Sequence, residues 1–86
     1  MTKSPHEPTN THRAALAEEA LAVFANRSFG RDDPDSMEKG DLECAVCDLI
    51  ADLMHFARRQ GLDVEAVTRN AQEHFECEVL EDLLTP

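Results

Sequence analysis

Four residues in the run CDLIADLMHFARRQGLD, residues 47–63, are of the types that carry chemistry. Asp48, Asp52, His55 and Arg59 stand at steps of four, three and four, which on an α-helix lines them along one face within about 60° of each other. Carboxylates at that spacing can hold a divalent cation, with His55 as a further ligand or as a general base. The same run also describes a solvated, salt-bridged edge, in which Asp52 precedes His55 by one turn and Arg59 relieves the crowding. What distinguishes the seam is its setting, because it is the main polar strip on an otherwise apolar stretch. Such a strip either faces water or borders a pocket.

A second set comprises Cys44, Cys47, His74 and Cys77, a CxxC followed by an HxxC. If the chain folds back near Leu62, Cys47 comes level with Cys77, and four such donors suit zinc. Both pairs fall within helical patterns rather than on the knuckles that usually fix zinc ligands. A disulfide or redox role for Cys47 and Cys77 is one alternative, and small packing thiols are the other. Glu78, one turn beyond His74, borders an apolar stripe and is placed for contact with His74 or for an interface with a cationic partner. Ser4, Ser28 and Ser36 lack a GxSxG context, and the chain has no glycine-rich phosphate loop. No catalytic residue is assigned. The only cofactors in view are magnesium at Asp48, Asp52 and His55, or zinc at the thiols.

The elements that must position these groups follow from periodicity and caps. Residues 1–10, with Pro5 and Pro8 among polar neighbours, read as a loose arm. The single helical domain spans 11–86. Its first helix is predicted over about 11–26, with Thr11 or Asn10 as N-cap, a principal stripe of Leu16, Ala20, Val23 and Phe24, and Ala17 and Leu21 widening it. The stretch RDDPDSMEKGD, residues 31–41, favours an acidic, solvated linker with a short turn starting at Ser36. Asp41 is the expected N-cap of a second helix over about 42–60. Its apolar residues cover well over half of the circumference, which demands burial from two or more sides. Gly61 and Leu62 form a glycine stop, Asp63 caps at once, and a third helix runs over about 64–83 with the stripe Val64, Val67, Ala71, Phe75 and Val79. The fold class is all-α: a small three-helix bundle with a tight antiparallel hairpin of helices two and three.

With 86 residues, such a domain has a marginal core unless its helices pack well or a homodimer completes it. A formal charge of -10, from 18 acidic against 8 basic residues, disfavours nucleic acid as a direct ligand and leaves a protein with a basic surface, a cation or a soluble metabolite. Only four Phe, with no Trp and no Tyr, leave no aromatic platform for stacked bases. No apolar run is long enough for a bilayer, and the start MTKSPHEPTNTHR lacks a signal-peptide segment, so the expected location is the cytoplasm. Three cysteines, an odd number, fit reduced thiols better than a disulfide scaffold.

The run DLIADLMHFARRQGLDVEAVTRNAQEHFE, residues 48–76, resembles the helix-turn-helix end of the MazG-like all-helical nucleoside triphosphate pyrophosphohydrolases. There an Asp opens an apolar helix that closes on Ala, basic residues, Gly, an aliphatic residue and Asp before a second helix begins. The resemblance covers about a third of the chain. It implies magnesium held by ExxE on one helix and ExxD on the next, activating water against a nucleotide's phosphates. Asp48 matches the Asp of ExxD, whereas Ala45 stands in place of its Glu and helix one offers adjacent Glu18 and Glu19. Glu43, Asp48 and Asp52 form a substitute set, with Glu43 on a different face from the two Asp residues.

Two functions from different classes follow. One is a small acidic, non-enzymatic module docking on a basic surface of a larger partner, as phage-encoded inhibitors such as anti-CRISPR proteins do by analogy of size and charge. The other is a metal-dependent nucleoside triphosphate pyrophosphohydrolase or a degenerate relative.

Overall fold

The computed structural model describes residues 9–30 and 33–84. The arm expected over residues 1–10 lies outside them as far as residue 8. Three α-helices, α1 (Asn10–Phe29), α2 (Lys39–Arg59) and α3 (Val64–Leu84), account for most of the described chain, with a 3₁₀ turn at Pro34–Ser36 between α1 and α2. No strand occurs among the described residues, and no helix there is long and apolar enough to cross a membrane. The three-helix, all-α fold is the one expected from the periodicity.

Helix α1 begins slightly earlier than expected. Thr9 is its N-cap, with Oγ1 accepting from His12 N–H at 3.1 Å. Gly30 ends it in the left-handed region at φ 71, its N–H directed at the carbonyls of Ala25 and Asn26. The helix therefore continues to Phe29, whose ring meets Phe24 edge-on at 6.1 Å. The stripe predicted for this helix is centred too far to one side: Leu21, at its margin, is buried, and Phe24 is half-buried. Leu21 and Ala25 are the buried residues of α1, while Leu16 and Val23 point outward at 53% and 60% exposure. Alanines at 14, 15, 17, 20, 22 and 25 make more than one face readable as apolar, and Leu16 with Val23 marks the outer face as strongly as Leu21 marks the packed one.

In the linker, the turn ends rather than starts at Ser36. Asp33 caps it, accepting from Asp35 N–H at 3.0 Å, and Pro34 is buried against α1. Helix α2 then starts at Lys39, so Asp41 is not its N-cap but stands in its first turn; Glu38 occupies the cap position without a side-chain bond. The turn joining α2 to α3 follows the expectation closely. Gly61, at φ 77, lets Leu62 N–H reach the Ala57 carbonyl at 2.9 Å while Gly61 N–H reaches that of Arg58 at 3.1 Å, the paired bonds of a Schellman stop. Asp63 caps α3 through Oδ1, which accepts from Ala66 N–H at 3.0 Å.

Packing departs most from expectation. Helix α2 is not walled in: its buried residues are Ala45 and Ala57 alone, and α3 has none. The hairpin is open rather than tight, with an apolar groove of about 380 Å³ between α2 and α3 lined by Ile50, Leu53, Met54, Val64, Val67 and Ala71. The molecule is correspondingly flat, 43 × 35 × 23 Å. Helix α1 closes the third side. Near its start, Asn10 Nδ2 donates to the Glu78 carbonyl at 2.7 Å and to Asp82 Oδ2 at 2.6 Å.

Candidate functional site

Helical geometry divides α2 into two faces. Leu42, Val46, Leu49, Ile50 and Leu53 line a cavity of about 740 Å³ between α1 and α2. Ile50 and Leu53 also line the groove toward α3. With 3.6 residues per turn, Asp48, Asp52, His55 and Arg59 lie roughly 140° around the helix from the centre of that apolar face. All four are exposed. The seam is thus brought together along one face as its spacing predicts, and it looks out to water rather than into a pocket.

The ligand sets read from the sequence do not assemble within one chain. Among the described residues no three His, Cys, Asp or Glu side chains converge closely enough to hold a metal ion. Asp48, Asp52 and His55 therefore form a strip and not a cage, and Cys44, Cys47, His74 and Cys77 do not surround a common point. The magnesium implied by the resemblance finds no fitting donor set here, since Glu43 stands well round the helix from both aspartates. Cys44, Cys47 and Cys77 are all free, exposed thiols, so the expected burial of small packing cysteines does not occur either. Cys44 borders a shallow hollow with Phe29, Met37 and Asp41 at the α1–α2 junction.

Glu78 has a cationic partner, and it belongs to the same chain. Its Oε2 lies 3.0 Å from Arg13 Nε, with both side chains about one-third exposed at 32% and 34%. Arg13 also donates through Nη1 to Asn10 Oδ1 at 2.7 Å, so the start of α1 and the second half of α3 share one polar strut. Glu78, expected to contact His74 or else a cationic partner, thus meets its cation within the same chain.

One electrostatic feature escaped the sequence reading. Glu18 of α1 is brought beside the 3₁₀ turn, and its carboxyl is held above the ordinary carboxylate range, first by a hydrogen bond with the Asp35 side chain, then by the Asp35 charge and more weakly by Asp33. Glu18 and Asp35 are 17 positions apart, and only the fold of α1 against the turn joins them. Both line the α1–α2 cavity, whose other walls are mainly apolar.

The arrangement offers an anionic, water-facing side on α2 and an apolar, concave side between the three helices. Comparison with known protein families, with curated proteins and with solved structures finds no match to the chain.

Proposed function

We propose that this protein is a small acidic interaction module that docks on a basic surface of a larger protein partner, in the manner of phage-encoded inhibitors such as anti-CRISPR proteins that occupy nucleic-acid-binding surfaces. The observation carrying this reading is the outward position of Asp48 and Asp52: the acidic strip stands exposed on α2, away from both grooves, on a chain of formal charge -10. Exposed charges of one sign speed encounter with a complementary surface and select against anionic partners. Arg59 and His55, on the same strip, supply register by penalising a wrongly aligned cationic partner.

Binding of this kind weakens steeply with salt. Retention of a purified nucleic-acid-binding candidate on the immobilised protein should fall at least about tenfold between low salt and a Debye length of roughly 3 Å, and Asp48→Lys with Asp52→Lys should reproduce that loss at low salt. Retention indifferent to ionic strength sinks the reading.

The second reading, a metal-dependent nucleoside triphosphate pyrophosphohydrolase or a degenerate relative, draws support from the glycine-stopped, Asp63-capped hairpin that its resemblance describes. Magnesium-stimulated release of pyrophosphate from a nucleotide panel, lost in Asp48→Ala, is its test.

A further inference from the structure

The three helices enclose a face they do not fill. The α1–α2 cavity and the α2–α3 groove share Ile50 and Leu53, so together they form one apolar hollow. Ile50 is 51% exposed, Leu53 57% and Phe75, on the stripe of α3, 61%. No large side chain among the described residues is fully buried; the buried apolar set is Leu21, Pro34 and three alanines. Burial of that kind is too small to offset the chain entropy of a domain of 86 residues. Something must cover the hollow.

We infer that a second copy of this chain covers it, apolar face against apolar face about a two-fold axis. Surface area is the first reason. A compact chain of this mass exposes about 5,100 Å², whereas this one exposes 7157 Å². Even half of the excess of about 2,000 Å² matches what one subunit buries in a homodimer.

Charge layout is the second. Among the described residues, the charged ones lining either groove are Glu18 and Asp35, beside the turn. Asp48 and Asp52 sit on the far side of α2, about one helix diameter or roughly 10 Å away, near a Debye length at moderate salt. Two chains of charge -10 can therefore meet without bringing their acidic strips together. The third reason is chemical. A partner recognised by its basic surface gains little from an aliphatic hollow, while the chain itself carries a matching one, and an isologous contact needs only self-complementarity. The inference concerns the face opposite the acidic strip and stands whether or not a basic partner exists.

Sedimentation velocity and light scattering on the full chain test it, over about 1 to 100 μM so that mass action is visible. The expected mass is twice 9.6 kDa. Leu53→Glu should raise the dissociation constant roughly 100-fold or more, while Leu16→Glu, on the outer face of α1, should leave it unchanged. Amide exchange compared between dilute and concentrated samples gives a readout free of substitutions: protection should be gained at Ile50–Met54 and Val67–Phe75, not at Ala22–Arg27, none of which lines the hollow. A helical chain that remains monomeric at 100 μM overturns the inference, and so does a dimer whose protection maps to Ala22–Arg27 and not to Ile50–Met54.

Discussion

Arg13 of α1 and Glu78 of α3 form an ion pair at 3.0 Å between residues 65 positions apart, and it joins the one pair of helices that no short connection links. Asn10 reinforces it by donating both to the Glu78 carbonyl and to Asp82. Long-range polar contacts of this kind fix where α1 lies, because the apolar contacts of α1 with α2 alone would leave it free to pivot.

Removing either partner should therefore loosen the fold. Arg13→Ala and Glu78→Ala are each expected to cost about 1 kcal/mol, discounted for one-third exposure, which for a domain of this size is a Tm lower by roughly 4–8 °C. The double variant should cost less than the two single losses added together. Thermal denaturation followed by circular dichroism measures all three, and strict additivity would show that the pair does not interact.

Glu18 gives a pH dependence of known sign. Its folded-state carboxyl is raised by Asp35 and Asp33, so its contribution to stability is fully present below the ordinary glutamate range and is lost as pH rises through the raised folded value. At neutral pH the charged pair is repulsive. Glu18→Gln keeps a hydrogen-bonding partner for Asp35 without the charge, and Tm at pH 7 should rise. Below about pH 4 the difference should vanish, and high salt should shrink it at every pH. A Tm difference independent of pH would refute this account.

The α2–α3 turn depends on backbone chemistry more than on contacts. Nothing lies within 4 Å of a Cβ built at Gly61, yet its φ is 77. Gly61→Ala should accordingly cost about 1–2 kcal/mol through left-handed strain alone, and Gly61→Asn less. Asp63→Ala, which removes the cap on α3, should cost about 1 kcal/mol. Chemical denaturation gives these values directly; an unchanged midpoint for Gly61→Ala would mean that the stop is made some other way.

The acidic strip should be dispensable for folding. Asp48→Ala and Asp52→Ala alter exposed side chains and are expected to shift stability by no more than about 0.5 kcal/mol. A loss of 2 kcal/mol or more in either variant, read from urea titration, would indicate that the strip is held in a network rather than by water.

The sequence showed most of this where a local rule decides the outcome. Gly61, Leu62 and Asp63 announce the hairpin because a glycine stop and an Asx cap need no distant partner, and both form as expected. The seam of α2 was legible as one face because helical spacing alone puts it there. Other features were not legible, each for a physical reason. Helix α2 starts before Gly40, a residue that reads as a breaker but is tolerated in a first turn. The packed face of α1 uses Leu21 and Ala25, and Leu21 with a small alanine gives no stronger a signal than Leu16 with Val23 on the outer face. The apolar breadth of α2 predicts burial from two or more sides, but periodicity records only which side avoids water and not what covers it. Glu18 with Asp35, and Arg13 with Glu78, depend on tertiary approach and have no trace in local spacing.

Among the described residues helix α3 contributes no buried side chain, and its polar ties to the rest of the fold are the Asp63 cap at its beginning and Glu78 and Asp82 near its end. In an isolated chain the turns of α3 between these two anchors are thus the first to open, and a protease would nick there before it reached α1 or α2. Dilution would then shorten the protein's lifetime, so that scarcity itself becomes a signal for its removal.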